Sequence, residues 1–151
     1  MSKKKTREFI EFSEDMLEAA GRAAGPLGGL DKPAREYVLD RYRKFLALAK
    51  RYPKERLAPT ADIDEMWHLH MLMPRAYAKD CEEYFGHILD HNGGFGRKSG
   101  EVAELKRIFD RTGELWASEF GEPYVVAGTA SPLAVCFSAA TQAHSLCFGG
   151  G

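Results

Sequence analysis

Every Lys, Arg, Asp and Glu of this 151-residue chain lies at or before Glu122, and residues 123–151 carry no charge. A chain divided in this way is not one uniform globule. Its first part has the charged positions and apolar stripes from which a water-facing surface and a core are built, and its last part has only small, apolar and hydroxyl side chains. The sequence therefore predicts a folded domain over residues 1–122 and an uncharged Ser/Thr/Gly/Cys-containing tail over residues 123–151. The length suits one domain with a single core. With 44% apolar residues the chain is not disordered throughout. Its 21 basic and 22 acidic residues leave a net charge of −1, without the basic surplus that general nucleic-acid binding requires.

Compartment and membrane follow from the same reading. Cys81, Cys136 and Cys147 are odd in number and far apart, which describes no disulfide framework and points to a reducing compartment, the cytoplasm. The basic start at Lys3-Lys4-Lys5 reads as a solvated tail. Glu8, Glu11, Glu14 and Asp15 interrupt any apolar stretch behind it, so the start is not a signal peptide. The uncharged tail is long enough to cross a bilayer, but Pro132, Gln142, His144 and repeated Ser, Thr and Gly make it a poor membrane helix, and no membrane is expected.

Hydrophobic periodicity predicts a small all-α bundle of about five helices. Phe9, Ile10, Phe12, Met16, Leu17 and Ala20 recur at helical spacing and predict a first helix over residues 7–24, ended by Gly25-Pro26. Asp31-Lys32-Pro33 opens a second. Its stripe is Val38, Arg41, Tyr42, Phe45, Leu48, Ala49 and Tyr52, with Arg41 and the tyrosines at the edge. Thr60 is the expected N-cap of a third helix running to Met73, with Asp62 and Asp64 suited to its N-terminal dipole. Pro74 opens a fourth that stops at Gly86. A loop is expected over residues 87–100, then a fifth helix capped by Ser99 and interrupted at Gly113. No strand pattern precedes residue 124.

The chemistry concentrates in Asp62-Ile63-Asp64-Glu65-Met66-Trp67-His68-Leu69-His70, followed by His87 and His91. At 100° per residue, Asp64 and His68 share a face, while Asp62 and His70 share a different one. His68 and His70 are about 200° apart, so they cannot chelate one ion from a straight helix. The remaining positions are apolar nearly all round, which predicts a buried helix whose polar groups need partners, since an unsatisfied buried group costs about 1–3 kcal/mol. One reading is a metal site: His68 and His91 as neutral imidazole ligands, with Asp64 or Cys81 completing a zinc-like tetrahedral shell. Another is a metal-free hydrogen-bond network, in which Asp64 accepts from His68, Asp62 caps its own helix and His91 caps the next helix or loop. A third is a dyad in which Asp64 orients His68 as a general base. His87 reads as a solvated loop residue, Cys81 as a small buried hydrophobe when not a ligand, and Tyr37, Tyr42 and Tyr77 as core-edge residues.

The stretch Pro59-Thr60-Ala61-Asp62-Ile63-Asp64-Glu65-Met66-Trp67-His68-Leu69-His70, continued by Pro74, Tyr77, Asp80-Cys81, Phe85-Gly86 and His91, resembles the glycine-rich domain-containing protein-like family. The resemblance covers roughly residues 35–121. Related bacterial proteins are similar at Asp64, Met66-Trp67-His68, Tyr77, Cys81, Gly86 and His91 but lack the second histidine. The resemblance thus favours Asp64, His68 and His91 as the functional core over His70. Little biochemistry comes with the family. Plant members are longer, are linked to development and stress responses, and include some with RNA-binding segments, which this sequence does not show. Family tails are often far richer in glycine than this one.

Three functions are expected. The first is a helical binding module with a divalent-metal or buried Asp-His site, zinc being the candidate cofactor. The second is a precursor of a modified peptide. Ser131, Ser138, Thr141 and Ser145 interleave with Cys136 and Cys147, as in chains whose dehydrated hydroxyl residues are trapped by thiols, and tail-modifying enzymes would be the partners. The third is a metal-dependent enzyme of unknown reaction. A charge-free tail of this kind is also an aggregation liability.

Overall fold

The computed structural model describes residues 8–93 and 98–125, together with the backbone of residues 148–150. Among the described residues five helices dominate: α1 (Met16–Arg22), α2 (Lys32–Arg51), α3 (Ala61–Met71), α4 (Pro74–Phe85) and α5 (Ser99–Phe120), with a 3-10 turn at Pro26–Gly29. The all-α expectation holds. One small addition is a three-residue strand, β1 (Asp90–Asn92), inside the expected loop; it pairs antiparallel with β2 (Phe148–Gly150), His91 opposite Gly149. Most of the tail, with its hydroxyl and cysteine residues, lies outside the described residues, and so does the precursor reading that rests on them.

Local chemistry sets most boundaries. The Asp31 carboxylate accepts from the Ala34 N–H and Pro33 sits in the first turn of α2, as capping and the fixed proline φ favour. The break at Pro74 separates α3 from α4, and Gly86 caps α4 at φ 82°, a left-handed conformation that a side chain resists. The chain reverses there, which carries Leu89 and His91 back toward α3.

Four boundary expectations are corrected. Helix α1 begins at Met16 rather than residue 7, because Asp15 caps it through the Glu18 N–H. The preceding residues run across the core as a strap instead. Their backbone bonds go to tertiary partners, with Ser13 N–H donating to Asp80 and the Glu8 carbonyl accepting from the Tyr84 hydroxyl. Helix α3 stops at Met71, two residues early, with Leu72 as its cap. At the start of α5, Ser99 is the first helical residue, not the cap; Glu101 accepts from the Lys98 N–H. Helix α5 also passes through Gly113 unbroken, since side chains on neighbouring turns hold it and a Cβ there would merely touch Tyr124 at 3.8 Å.

The core gathers around α3, which packs against α1, α2 and α4. Met66, Trp67 and Ile63 from α3 meet Val38, Tyr42, Phe45 and Leu48 from α2, with Trp116 of α5 and Tyr124 closing one side. Of the stripe expected for α2, Val38, Arg41, Tyr42, Phe45 and Leu48 are buried, and Ala49 and Tyr52 are half-buried against the core. Two of its members sit deeper than expected. Arg41 and Tyr42 are not at the edge but fully enclosed, because each finds a buried polar partner on α3.

For Arg41 that partner is Asp62. Arg41 Nε donates to Asp62 Oδ2 at 2.7 Å, and its Nη2 donates to Thr60 Oγ1 and to the Tyr124 carbonyl. Burial alone would lower the guanidinium pKa, but Asp62 outweighs it and holds Arg41 above its ordinary range. The sequence assigns Asp62 the role of capping its own helix; the structure also commits its carboxylate to Arg41 and to the Thr60 hydroxyl, which donates to it. Arg41 thereby ties residue 124, the second of the charge-free stretch, onto the domain.

Candidate functional site

Helix α3 carries two sets of Asp and His chemistry on two faces. On the outer face, Asp64 and His68 lie one turn apart, as their spacing requires. His91 comes in from β1. His91 Nε2 is 2.9 Å from Asp64 Oδ1, and His68 Nε2 is 3.5 Å from the same oxygen. The two imidazole rings stand 4.6 Å apart. One ligand atom from each of the three residues lies within 4.8 Å of the others, and among the described residues this is the group of three that could hold a metal ion.

The three side chains differ in exposure. His91 is 5% exposed, Asp64 20% and His68 44%. The cluster therefore has a closed side at His91 and an open side at His68. The closed side is built by Trp67, whose indole meets the His91 ring edge-on at 4.3 Å. Without metal the arrangement is a hydrogen-bonded Asp-His pair, with Asp64 accepting from His91 rather than chiefly from His68.

Cys81, the fourth candidate ligand, is not brought into this group. Its thiol is buried under α4, against the Tyr77 hydroxyl and the Leu89 backbone, and burial raises its pKa. A thiol held in its neutral form is a poor ligand. His91 caps no helix, and His87 is an exposed loop residue that stacks on Phe85, as expected.

On the inner face of α3, His70 is completely buried. Its Nδ1 faces the Tyr42 hydroxyl at 2.8 Å, and its Nε2 faces Asp80 Oδ2 at 2.8 Å. Asp80 Oδ1 also accepts from the Ser13 N–H of the N-terminal strap, and Phe12 packs edge-on to the imidazole. Neutral His70 satisfies both neighbours: Nε2–H donates to Asp80 and Nδ1 accepts from Tyr42. Burial lowers its pKa from the ordinary value, with Asp80 opposing, and burial raises the Tyr42 phenol.

Sequence reasoning separated His70 from His68 but did not pair it with Tyr42 and Asp80. The available signal was that each is a polar residue within an otherwise apolar stripe, and a buried polar group must be matched.

The glycine-rich domain-containing protein-like family model matches residues 32–80, a span that includes Asp64 and His68 and stops before His91. Among curated proteins, the chain is similar to Glycine-rich domain-containing protein 2 of Arabidopsis thaliana, 30% identical over 130 residues, covering 76% of this chain and 16% of that protein. Glycine-rich domain-containing protein 1 of the same plant is 32% identical over 130 residues, covering 76% and 15%. The match thus spans less than a fifth of either relative's length. No solved structure matches significantly. No helix among the described residues is long and apolar enough to cross a membrane.

Proposed function

The chain belongs to the glycine-rich domain-containing protein-like family, and on that premise we propose that its helical domain is a binding module built around a divalent-metal site at Asp64, His68 and His91. The observation that carries this reading is the convergence of one carboxylate oxygen and two imidazole nitrogens within 4.8 Å. Zinc held by bonds of about 2.0–2.1 Å in a tetrahedron keeps its ligand atoms about 3.3 Å apart. The 3.5 Å between His68 and Asp64 fits that edge, and the 2.9 Å between His91 and Asp64 needs to open by a few tenths of an ångström. Both rings present Nε2 to the shared space, so each ligates with its proton on Nδ1.

Two imidazoles and one carboxylate suit zinc and also iron(II). Three protein ligands with a half-exposed His68 leave a position for water or a ligand on the solvent side, the mark of sites that bind or activate a fourth group. Such a site could serve a metal-dependent reaction as well as recognition, and residues 64, 68 and 91 carry both.

Elemental analysis of the purified protein, with zinc titration of the metal-free form, tests the reading. The expected result is one divalent ion per chain, lost in Asp64→Ala and His68→Ala while the helical circular-dichroism signal persists. Absence of stoichiometric uptake by the parent protein, or equal uptake by both variants, would overturn it. Which ion is retained on purification separates zinc from iron.

A further inference from the structure

The site's third ligand is the one whose position most needs explaining. Asp64 and His68 are fixed by one helix, whereas His91 stands on a short strand beyond Gly86. Two groups meet between them. The Trp67 indole N–H donates to the Tyr77 hydroxyl at 2.9 Å, and the Tyr77 hydroxyl donates to the Leu89 carbonyl. One phenolic oxygen of α4 therefore ties α3 to the chain two residues before His91. The same indole packs against the His91 ring, and the Cys81 thiol lies against the same hydroxyl and the Leu89 backbone. Burial raises the Tyr77 phenol far above its usual range, so the group remains a hydroxyl that can donate and accept at once.

We propose that Tyr77 is a positioning residue for the Asp64–His68–His91 centre, holding the His91 imidazole against Asp64 through its bonds to Trp67 and Leu89. This rests on the metal reading of that site. Tyr77 touches none of the three ligand atoms; it sets where the third one stands. Groups that orient a metal ligand from behind typically change metal affinity 10–100-fold when removed.

Tyr77→Phe removes one oxygen and keeps the ring. The expected result is zinc binding at least tenfold weaker than in the parent, measured by competition with a chromophoric chelator. The cobalt(II) form should show an altered visible d–d spectrum, which a simple loss of stability would not produce. In the metal-free protein, backbone amides of residues 89–92 should exchange faster while those of α2 keep their protection. Combined with His91→Ala, Tyr77→Phe should cost nothing further, because its effect acts through that ring. Should Tyr77→Phe fail to fold, Trp67→Phe removes the indole donor to the same hydroxyl and should weaken zinc binding as well.

Zinc binding within twofold of the parent and an unaltered cobalt spectrum in Tyr77→Phe would overturn the proposal. If the parent binds no metal, the metal reading fails, and the amide exchange decides the clasp: faster exchange at residues 89–92 sustains it, and unchanged exchange ends it.

Discussion

The two faces of α3 use nearly the same parts for opposite ends. Inside, Tyr42, His70 and Asp80 form a chain in which each hydrogen-bonding position is filled and no side chain reaches solvent. Outside, Asp64, His68 and His91 converge on one carboxylate oxygen, with the two imidazole nitrogens directed at the same space and one ring half exposed. The inner set is saturated, so it can hold the fold together but has nothing left to offer a ligand. The outer set brings one carboxylate oxygen and two imidazole nitrogens together, with an open side at His68. Composition alone does not tell the two sets apart; burial and exposure do.

The sharpest way to break this comparison is to remove one imidazole from each face. His70→Ala strips Asp80 of one of its donors, leaves the Tyr42 hydroxyl without its acceptor and opens a cavity between α2, α3 and α4. Breaking a buried charged network by deleting one partner typically costs about 3–5 kcal/mol, and the cavity adds to that. His68→Ala removes a half-exposed ring and should stay within about 0.5 kcal/mol of the parent. Urea unfolding of the metal-free proteins measures both. Equal losses would show that the outer set is structural too and would remove the ground for treating it as a site.

A finer cut is Tyr42→Phe, which takes away one hydroxyl and leaves His70 Nδ1 buried with its acceptor position empty. The expected loss is about 1–3 kcal/mol, the cost of stranding a buried polar atom. Zinc uptake should be unchanged, because the outer cluster shares no atom with this chain of bonds. If Tyr42→Phe altered metal affinity, the two faces would be coupled through α3 and the division between them would have to be redrawn.

How much of this was readable beforehand follows from the range of each interaction. The i, i+4 relation of Asp64 and His68 is local geometry, and so is the opposition of His68 and His70; both stand in the sequence once a helix is assumed. The supply of an imidazole from His91 was legible in the motif that continues past Gly86. Arg41 with Asp62 and His70 with Asp80 were not, because they join elements whose relative rotation is set by packing. A polar residue in an apolar stripe announces that a partner exists without naming it. The strap over residues 8–15 departs from the helix its periodicity predicts for the same reason. Ile10 and Phe12 do face the core, while Phe9 is exposed, and Asp80 and Tyr84 on a distant helix take backbone bonds of this segment. Cys81, named in the same motif, lies by the Tyr77 hydroxyl and the Leu89 backbone and outside the Asp64–His68–His91 group; its place depends on how α4 packs, which no local spacing gives.

The smallest effect expected is on pH dependence, and it discriminates by sign. Burial holds the His70 pKa below its ordinary value in the folded protein, whereas the unfolded chain returns it to about 6.5. Between the two values the unfolded state binds more protons than the folded one, so stability falls as pH falls. The contribution is complete above about pH 6.5 and is lost as the pH drops through the folded-state value. The groups around the ring explain why. Protonated His70 would turn both nitrogens into donors, and the Tyr42 hydroxyl that now donates to Nδ1 would have to accept and turn its proton toward Tyr77, Cys81 or Asp80. Asp80 opposes this by favouring the charged ring, so the lowered value reflects burial prevailing over a neighbouring carboxylate. The metal-free parent should lose more stability than His70→Gln between pH 7.5 and 5.5, read from urea midpoints. A parent that grew more stable over that interval relative to His70→Gln would mean that His70 is held as an imidazolium by Asp80. The inner face of α3 would then be a buried ion pair like that of Arg41 and Asp62, and its contrast with the outer face would lie in exposure alone.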